Sequence, residues 1–246
     1  MPDHIDPPHA TGPASETVKA HSEPNSLVFH AGWFCPFVQR VWLALEEKGI
    51  PYEYKEVNPY KKEAHFLKIN PEGLVPALEH ENKALYESLV LLKYLDDAFP
   101  EKQLKPTDPH EAGLVRLALQ QISNVVVPAF YRYKEEGAAF VKSLQDLHTD
   151  WFRSGATWAR GDTIGWVDLA LAPWVVRFDL LKKHRDFKVE DVGTEFQAWA
   201  ERIVDRPSVK ATTSLPDDYE KVYRRYFEDT AESEVAKATR KGEWLK

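Results

Sequence analysis

The chain contains a single cysteine, Cys35, in the run Gly32-Trp33-Phe34-Cys35-Pro36-Phe37-Val38-Gln39-Arg40. The thiolate is the reactive form of cysteine, and the dipole and unpartnered N–H groups of a helix N-terminus favour that negative charge. Pro36 suits the first helical position, where its missing N–H would have no intrahelical partner. Cys35 therefore reads as a helix N-cap with backbone N–H groups aimed at its sulfur. A bare cysteine is more often a small buried hydrophobe, but the strand, turn and Cys-Pro helix start favour a nucleophile. The fourth position of the run is Val38 where a Cys-x-x-Cys pair would carry a second thiol. A disulfide at Cys35 must therefore be resolved by an outside thiol, which points to a monothiol enzyme working with a small thiol cosubstrate.

A second constellation is Glu87-Ser88, at the end of one apolar run and the start of a helical one. A carboxylate binds an ammonium group, and a helix N-terminus capped by Ser88 binds a carboxylate, so together they suit both ends of an α-amino acid. Val75, fixed beside Pro76, offers backbone N–H and C=O groups for pairing with a short peptide. Alone, Glu87-Ser88 would be an ordinary helix cap; beside Cys35 and Val75-Pro76 it reads as part of a binding site.

The elements that must position these groups follow from periodicity. Residues 27–31 are a short apolar strand, and Phe37, Val41, Ala44 and Leu45 then recur at helical spacing up to Gly49, with Pro51 beyond. Residues 52–57 are a second strand, residues 61–69 a short helix, and residues 74–79 and 84–87 a hairpin, after which Ser88 caps a helix that Pro100 stops. The order β-α-β-α-β-β-α predicts a mixed sheet between helices. Pro76 conflicts with a strand interior unless the Val75–Pro76 bond is cis. Residues 1–25, rich in Pro, His, Ser and Ala, read as a mobile tail, residues 26–100 as the α/β domain and residues 101–109 as a linker. Residues 110–229 show only helical stripes, with a kink expected at Pro128, so the fold class is α/β plus all-α. Residues 230–246 read as a weakly packed tail.

Composition narrows the partners. Of 246 residues 43% are hydrophobic and 29% charged, as in a soluble globular protein, and the net charge of -7 without a basic cluster argues against nucleic acid. One cysteine permits no intrachain disulfide. With no apolar signal stretch at Met1, a cytoplasmic location is expected. No apolar run approaches a membrane span. The histidines lack metal-ligand spacing, so no metal is expected, and no phosphate loop or nucleophile elbow occurs.

The runs Cys35-Pro36-Phe37-Val38-Gln39-Arg40, Asn70-Pro71-Glu72-Gly73-Leu74-Val75-Pro76-Ala77-Leu78 and Leu85-Tyr86-Glu87-Ser88 together resemble cytosolic glutathione transferases, and the Cys-Pro-Phe start is most similar to the omega class and its fungal omega-like relatives. The resemblance covers about residues 26–225. It implies a thioredoxin-like N-terminal domain with cis-Pro76, an α-helical C-terminal domain and a homodimer. It also implies that Cys35 forms a mixed disulfide with glutathione, the cosubstrate, between walls formed by Phe34 and Phe37. Lys62 would contact the glycyl carboxylate, Val75 the cysteinyl backbone, and Glu87 and Ser88 the γ-glutamyl end. Pro173-Trp174-Val175-Val176-Arg177 resembles the omega helix lining the site of a small hydrophobic or aromatic acceptor. Trp174 and Arg177 would share a face there, with Tyr131 and Tyr133 as further candidates; core packing is the alternative for Trp174, and core or surface packing for the tyrosines. The family usually starts the helix near Trp166 with a Ser/Thr-x-x-Asp capping box, where this chain has Gly165-Trp166-Val167-Asp168. The expected activity is a thiol transferase or reductase that removes glutathionyl groups from mixed disulfides or thioethers, dehydroascorbate reduction being one form it could take. Two other readings stay open at this point: a ligand-sequestering protein for aromatic molecules, and a membrane-inserting chloride-channel-like relative.

Overall fold

The computed structural model describes residues 5–228 and 230–241. The chain divides into two compact units. The first takes the residues up to Gln103 together with Arg206–Val222, and the second takes Leu104–Asp205 and the chain from Tyr223 onward.

The first unit is built on a four-stranded sheet of β1 (Leu27–Ala31), β2 (Glu53–Glu56), β3 (Ala77–His80) and β4 (Lys83–Tyr86), in the order β2-β1-β3-β4. Helix α1 (Gly12–Ala20) precedes the sheet, α2 (Pro36–Lys48) connects β1 to β2, and α3 (Ser88–Ala98) follows β4. A helical crossover returns the chain in the same direction, so β1 and β2 are parallel, while β1 with β3 and β3 with β4 are antiparallel. All five residues of β1 are buried, as a central strand requires. The two-residue turn Glu81-Asn82 places both residues at positive φ, 51° and 64°, the conformation that matches hairpin twist.

Three local expectations change. The Val75–Pro76 bond is cis, but β3 begins only at Ala77, so the proline lies outside the ladder it could not serve. The helix expected over residues 61–69 is reduced to a 3₁₀ turn, Phe66–Lys68, because Lys62 takes a left-handed φ of 47° that no continuing helix tolerates. Residues 1–25, expected as a tail, contain α1, whose end is fastened where Thr17 Oγ1 donates to the Ala211 carbonyl at 2.7 Å. That bond reaches α10 (Pro207–Ala211), from a stretch expected to belong with the helical domain. Gln39 on α2 donates to the Thr212 carbonyl at 3.2 Å, and the buried Glu47 accepts from Arg206 at 2.7 Å and from Ser208 Oγ at 2.5 Å.

The second unit is helical, as expected. Its helices are α4 (Pro109–Gln121), α5 (Val127–Tyr131), α6 (Tyr133–Trp151), α7 (Trp166–Val175), α8 (Phe178–Arg185) and α9 (Thr194–Asp205). Two more follow α10: α11 (Pro216–Phe227), which the division between units crosses, and α12 (Glu234–Arg240) in the segment expected as a loose tail. Ala236 and Ala238 of α12 are buried. The break expected at Pro128 lies one turn earlier. A π turn over Ile122–Val126 carries the chain from α4 to α5, and Pro128 falls in the first turn of α5, where its missing N–H is harmless. Every residue of α7 is buried, as in a helix apolar on all sides. Its one acidic side chain, Asp168, accepts from the N–H groups of Ala159 and Gly165, both at 2.9 Å, and from Trp199 Nε1 at 2.7 Å. Gly165 keeps half of the capping box. A Cβ there would stand 3.0 Å from the Leu104 carbonyl oxygen, which accounts for glycine in place of Ser or Thr. Among the described residues no helix is long and apolar enough to cross a membrane, and no group of three or more His, Cys, Asp or Glu is placed to hold a metal ion.

Burial alone would raise the pKa of Glu47, but the hydrogen bonds from Arg206 and Ser208 outweigh it and leave the carboxyl below its ordinary 4.5. A depressed carboxyl contributes stability that is present above its unfolded value and lost as pH falls through the folded one. Glu47→Gln is therefore expected to lower stability by about 2 kcal/mol at neutral pH, with the difference shrinking well below pH 4.5. Urea titrations of both proteins at neutral pH and near pH 3 check this; a constant difference would contradict it.

Candidate active site

The site forms at one end of the sheet. Pairing sets Ala31 beside Glu56, His30 opposite Ala77 and Ala77 opposite Tyr86. The chain therefore leaves β1 toward Cys35, enters β3 from Val75-Pro76 and leaves β4 toward Glu87-Ser88, all at the same edge.

Cys35 is the N-cap of α2, with extended backbone (φ −81°, ψ 123°), and Pro36 opens the helix. The chain reaches it through a tight turn in which the Cys35 N–H donates to the Gly32 carbonyl at 2.9 Å. The thiol is half-buried and lies in no disulfide. Its side chain makes no capping hydrogen bond; instead Sγ stands 3.8 Å from the carbonyl oxygen of Val75, to which it donates. The sulfur thus sits at the positive end of the helix dipole, within reach of the backbone beside the cis proline. Phe34 is buried, edge-on to Trp33 with ring centroids 6.0 Å apart and stacked on Tyr60 at 6.4 Å. Phe37 lies under the Arg40 guanidinium, 5.3 Å from its ring centroid.

Glu87 and Ser88 exchange the places expected of them. Glu87 occupies the N-cap position of α3 and Ser88 is the first helical residue. Glu87 has φ 74°, a region that L-residues avoid unless the surroundings dictate it. Partial desolvation raises the pKa of its carboxyl, and the negative charge of Glu72 adds to the effect. Ser88 is buried, and its Oγ accepts from Arg40 Nη1 at 3.3 Å. Lys62 is exposed; its Nζ donates to the Glu72 carbonyl at 3.2 Å.

Two organising residues lie within the sequence motifs, which by themselves assign them no role. Asn70 is buried, donates through Nδ2 to the Leu74 carbonyl at 2.8 Å and accepts the Glu72 N–H at 3.1 Å. It thereby shapes the loop that delivers Val75. Gly73 in that loop has φ 69°, and a Cβ would press on Leu67 and Lys62 at 3.1–3.2 Å. Arg40 is the other, joining α2 to the start of α3. The Asn-Pro turn signal could have indicated Asn70; nothing in the spacing indicated Arg40.

The residues expected around an acceptor lie in the second unit. Trp174 and Arg177 are both 0% exposed, so both are built into its interior. Arg177 donates from Nε to the Tyr223 hydroxyl at 2.7 Å and from Nη1 to the Pro173 carbonyl at 2.5 Å. Tyr223 stacks on Tyr226 (5.3 Å), which meets the half-buried Tyr131 (5.8 Å). Arg177 and Tyr131 thus end one aromatic row, whose middle members spacing did not reveal. Tyr133 packs edge-on against Phe140 at 5.6 Å.

Residues 30–103 match the model of the glutathione S-transferase N-terminal domain. The solved structure of glutathione transferase Omega 3C from Trametes versicolor is 47% identical, covers 92% of this chain and all of its own, and superposes with a TM-score of 0.83. The chain belongs to the glutathione transferase family. Glutathione S-transferase omega-1 of Sus scrofa is a further relative, 29% identical over 81% of this chain and 86% of its own. The rice glutathione transferase GST1, solved in complex with glutathione, is 30% identical with a TM-score of 0.72, covering 85% of this chain and 99% of its own. The thioredoxin-like domain and the glutathione-dependent transferase class expected from sequence therefore hold.

The backbone at Glu87 yields a test within this transferase. Glu87→Gly relaxes an unfavourable φ by about 1 kcal/mol, which corresponds to a melting temperature higher by roughly 2–4 °C, and it removes a carboxylate from the sheet end. The variant is expected to melt higher and bind immobilised glutathione more weakly. Melting scans and affinity chromatography check the pair; unchanged retention on glutathione would remove Glu87 from the site.

Proposed function

We propose that this glutathione transferase is a thiol transferase in which Cys35 is the nucleophile. The observation that carries the reading is the placement of Sγ at the start of α2, 3.8 Å from the Val75 carbonyl. A helix N-terminus suits a thiolate and the adjoining backbone suits an extended peptide. The Cys35 thiolate attacks the glutathione sulfur of a mixed disulfide. A Cys35–glutathione disulfide forms, the original S–S bond breaks, and the acceptor leaves as a thiolate that takes up a proton. The thiolate of a second glutathione attacks that disulfide, releasing oxidised glutathione and restoring the Cys35 thiolate. With an α-keto thioether the same attack breaks a C–S bond, and the departing enolate is protonated. Val38 at the fourth position supports this two-glutathione cycle.

In this reading Val75 pairs with the cysteinyl backbone of glutathione once the thiol no longer occupies its carbonyl. The γ-glutamyl ammonium lies against Glu87, where a cation relieves the repulsion between Glu87 and Glu72. The γ-glutamyl carboxylate meets the N–H groups at the start of α3, with Ser88 held by Arg40. Lys62, tied to the loop at Glu72, is the candidate for the glycyl carboxylate, and Phe34 and Phe37 flank the thiol. Trp174 and Arg177, being buried, act on a hydrophobic or aromatic acceptor by shaping the row that ends at Tyr131. A homodimer in a reducing, cytoplasmic setting, where glutathione is abundant, completes the proposal.

Incubation with oxidised glutathione is expected to add one glutathionyl group to the intact mass, lost on adding reduced glutathione. Cys35→Ser should take up none and lose thiol-transferase turnover by a factor of at least about 10² while keeping its melting curve. Full turnover in the Ser variant would sink the assignment.

A further inference from the structure

The turn that presents Cys35 leaves one of its own donors unserved. In the turn Gly32-Trp33-Phe34-Cys35 the Gly32 carbonyl is closed by the Cys35 N–H, and the N–H of the second residue, Trp33, points out of the turn. Trp33 is 1% exposed, so this donor cannot rely on solvent and needs a partner from the protein. The parallel ladder ends two residues earlier, where the Val57 N–H donates to the Ala31 carbonyl at 2.7 Å. Beyond that rung a side chain takes over. Glu56, the last residue of β2, accepts the Trp33 N–H through Oε1 at 3.3 Å. The same tryptophan is held at its other end, where its indole Nε1 donates to the Pro7 carbonyl at 3.2 Å.

We propose that Glu56 is a positioning residue for Cys35, its carboxyl extending the β1–β2 ladder to the Trp33 N–H and so fixing the turn that aims the thiol. The inference rests on the reading of Cys35 as the nucleophile, since a merely structural cysteine needs no aim. The surroundings fit a carboxyl whose job is to accept a hydrogen bond while adding no charge beside a thiolate. Burial pushes the Glu56 pKa up to about 8, against the opposing pull of the Trp33 N–H and the Tyr54 hydroxyl. The titratable groups facing this end of the strand are Tyr54 on its own strand, itself raised well above 10 by burial first and by Glu56 next, and Tyr219 of α11, against Trp33 at 5.4 Å between ring centroids. A neutral carboxylic acid still offers its carbonyl oxygen to the N–H, whereas an anion there would oppose formation of the thiolate.

The test reads the turn directly in the full chain. Glu56→Gln keeps an acceptor oxygen at the same place, and Glu56→Leu keeps the volume without it. Because Cys35 is the only thiol, its alkylation by iodoacetamide can be followed by intact mass across a pH series. Below about pH 8, where the Glu56 carboxyl stays neutral, Glu56→Gln is expected to match the parent in rate, while Glu56→Leu reacts about five-fold more slowly, the equivalent of one ordinary hydrogen bond. Equal rates in all three, or equal impairment of Gln and Leu, would overturn the proposal. Amide NMR covers the case in which the Leu variant fails to fold: the Trp33 N–H resonance should titrate with the Glu56 carboxyl in the parent and in Cys35→Ser, and should not in Glu56→Gln. A Trp33 resonance indifferent to Glu56 would also overturn it. Mixed-disulfide formation with oxidised glutathione, measured on the same samples, separates failure of this inference from failure of the nucleophile assignment.

Discussion

The candidate site of this chain depends on backbone donors that lose their partners where a regular element ends. A helix leaves its first N–H groups unserved and a strand leaves the amides beyond its last rung unserved. At one edge of the sheet the protein gathers several such ends, at the exits of β1 and β4 and the starts of α2, β3 and α3. Glu56 answers one stranded N–H and Asn70 answers another within the loop before Val75. The starts of α2 and α3 lie at this same end, with a thiol at the N-cap of one and an acidic side chain at the N-cap of the other. The prolines belong to the same logic: Pro36 and Pro76 stand where a hydrogen-bond donor would have been surplus.

Much of this was legible in the sequence because it rests on local signals. An apolar run, a Cys-Pro pair, helical spacing and a closing Gly49 define β1 and α2 without reference to the rest of the molecule. Gly49 duly takes φ 65° at the helix end. The hairpin was legible from its short polar turn. The conflict between Pro76 and a strand pattern was itself informative, since a cis bond resolved it and the strand starts one residue later.

What was not legible depends on distant partners. Residues 12–20 carry no apolar stripe, yet they form α1, because Thr11 and Thr17 are bonded to residues near 215 along the chain: Thr11 Oγ1 donates to Asp218 at 2.8 Å and accepts the Leu215 N–H at 3.1 Å. Trp174 fits core and site equally well by spacing, and only its complete burial separates the two. Arg40 looks like a surface residue of a helix until the Ser88 hydroxyl and the Phe37 ring are seen to surround it. Glu56 belongs to a strand whose alternation says nothing about a turn on the neighbouring strand.

The first unit is discontinuous in sequence, and this bears on the order in which the chain can be built. Its sheet and α1–α3 emerge early from the ribosome, but Glu47 awaits Arg206 and Ser208, Gln39 awaits Thr212, and Thr11 awaits Asp218. The intervening helical unit must be synthesised before those bonds can close, and contacts of such sequence separation are slow to form. During translation the sheet beside Cys35 is therefore exposed while its last supports are still missing, and the second unit, which also takes the chain from Tyr223 onward, is completed only after it. A chain whose candidate site sits near its beginning is thus completed by residues near its end.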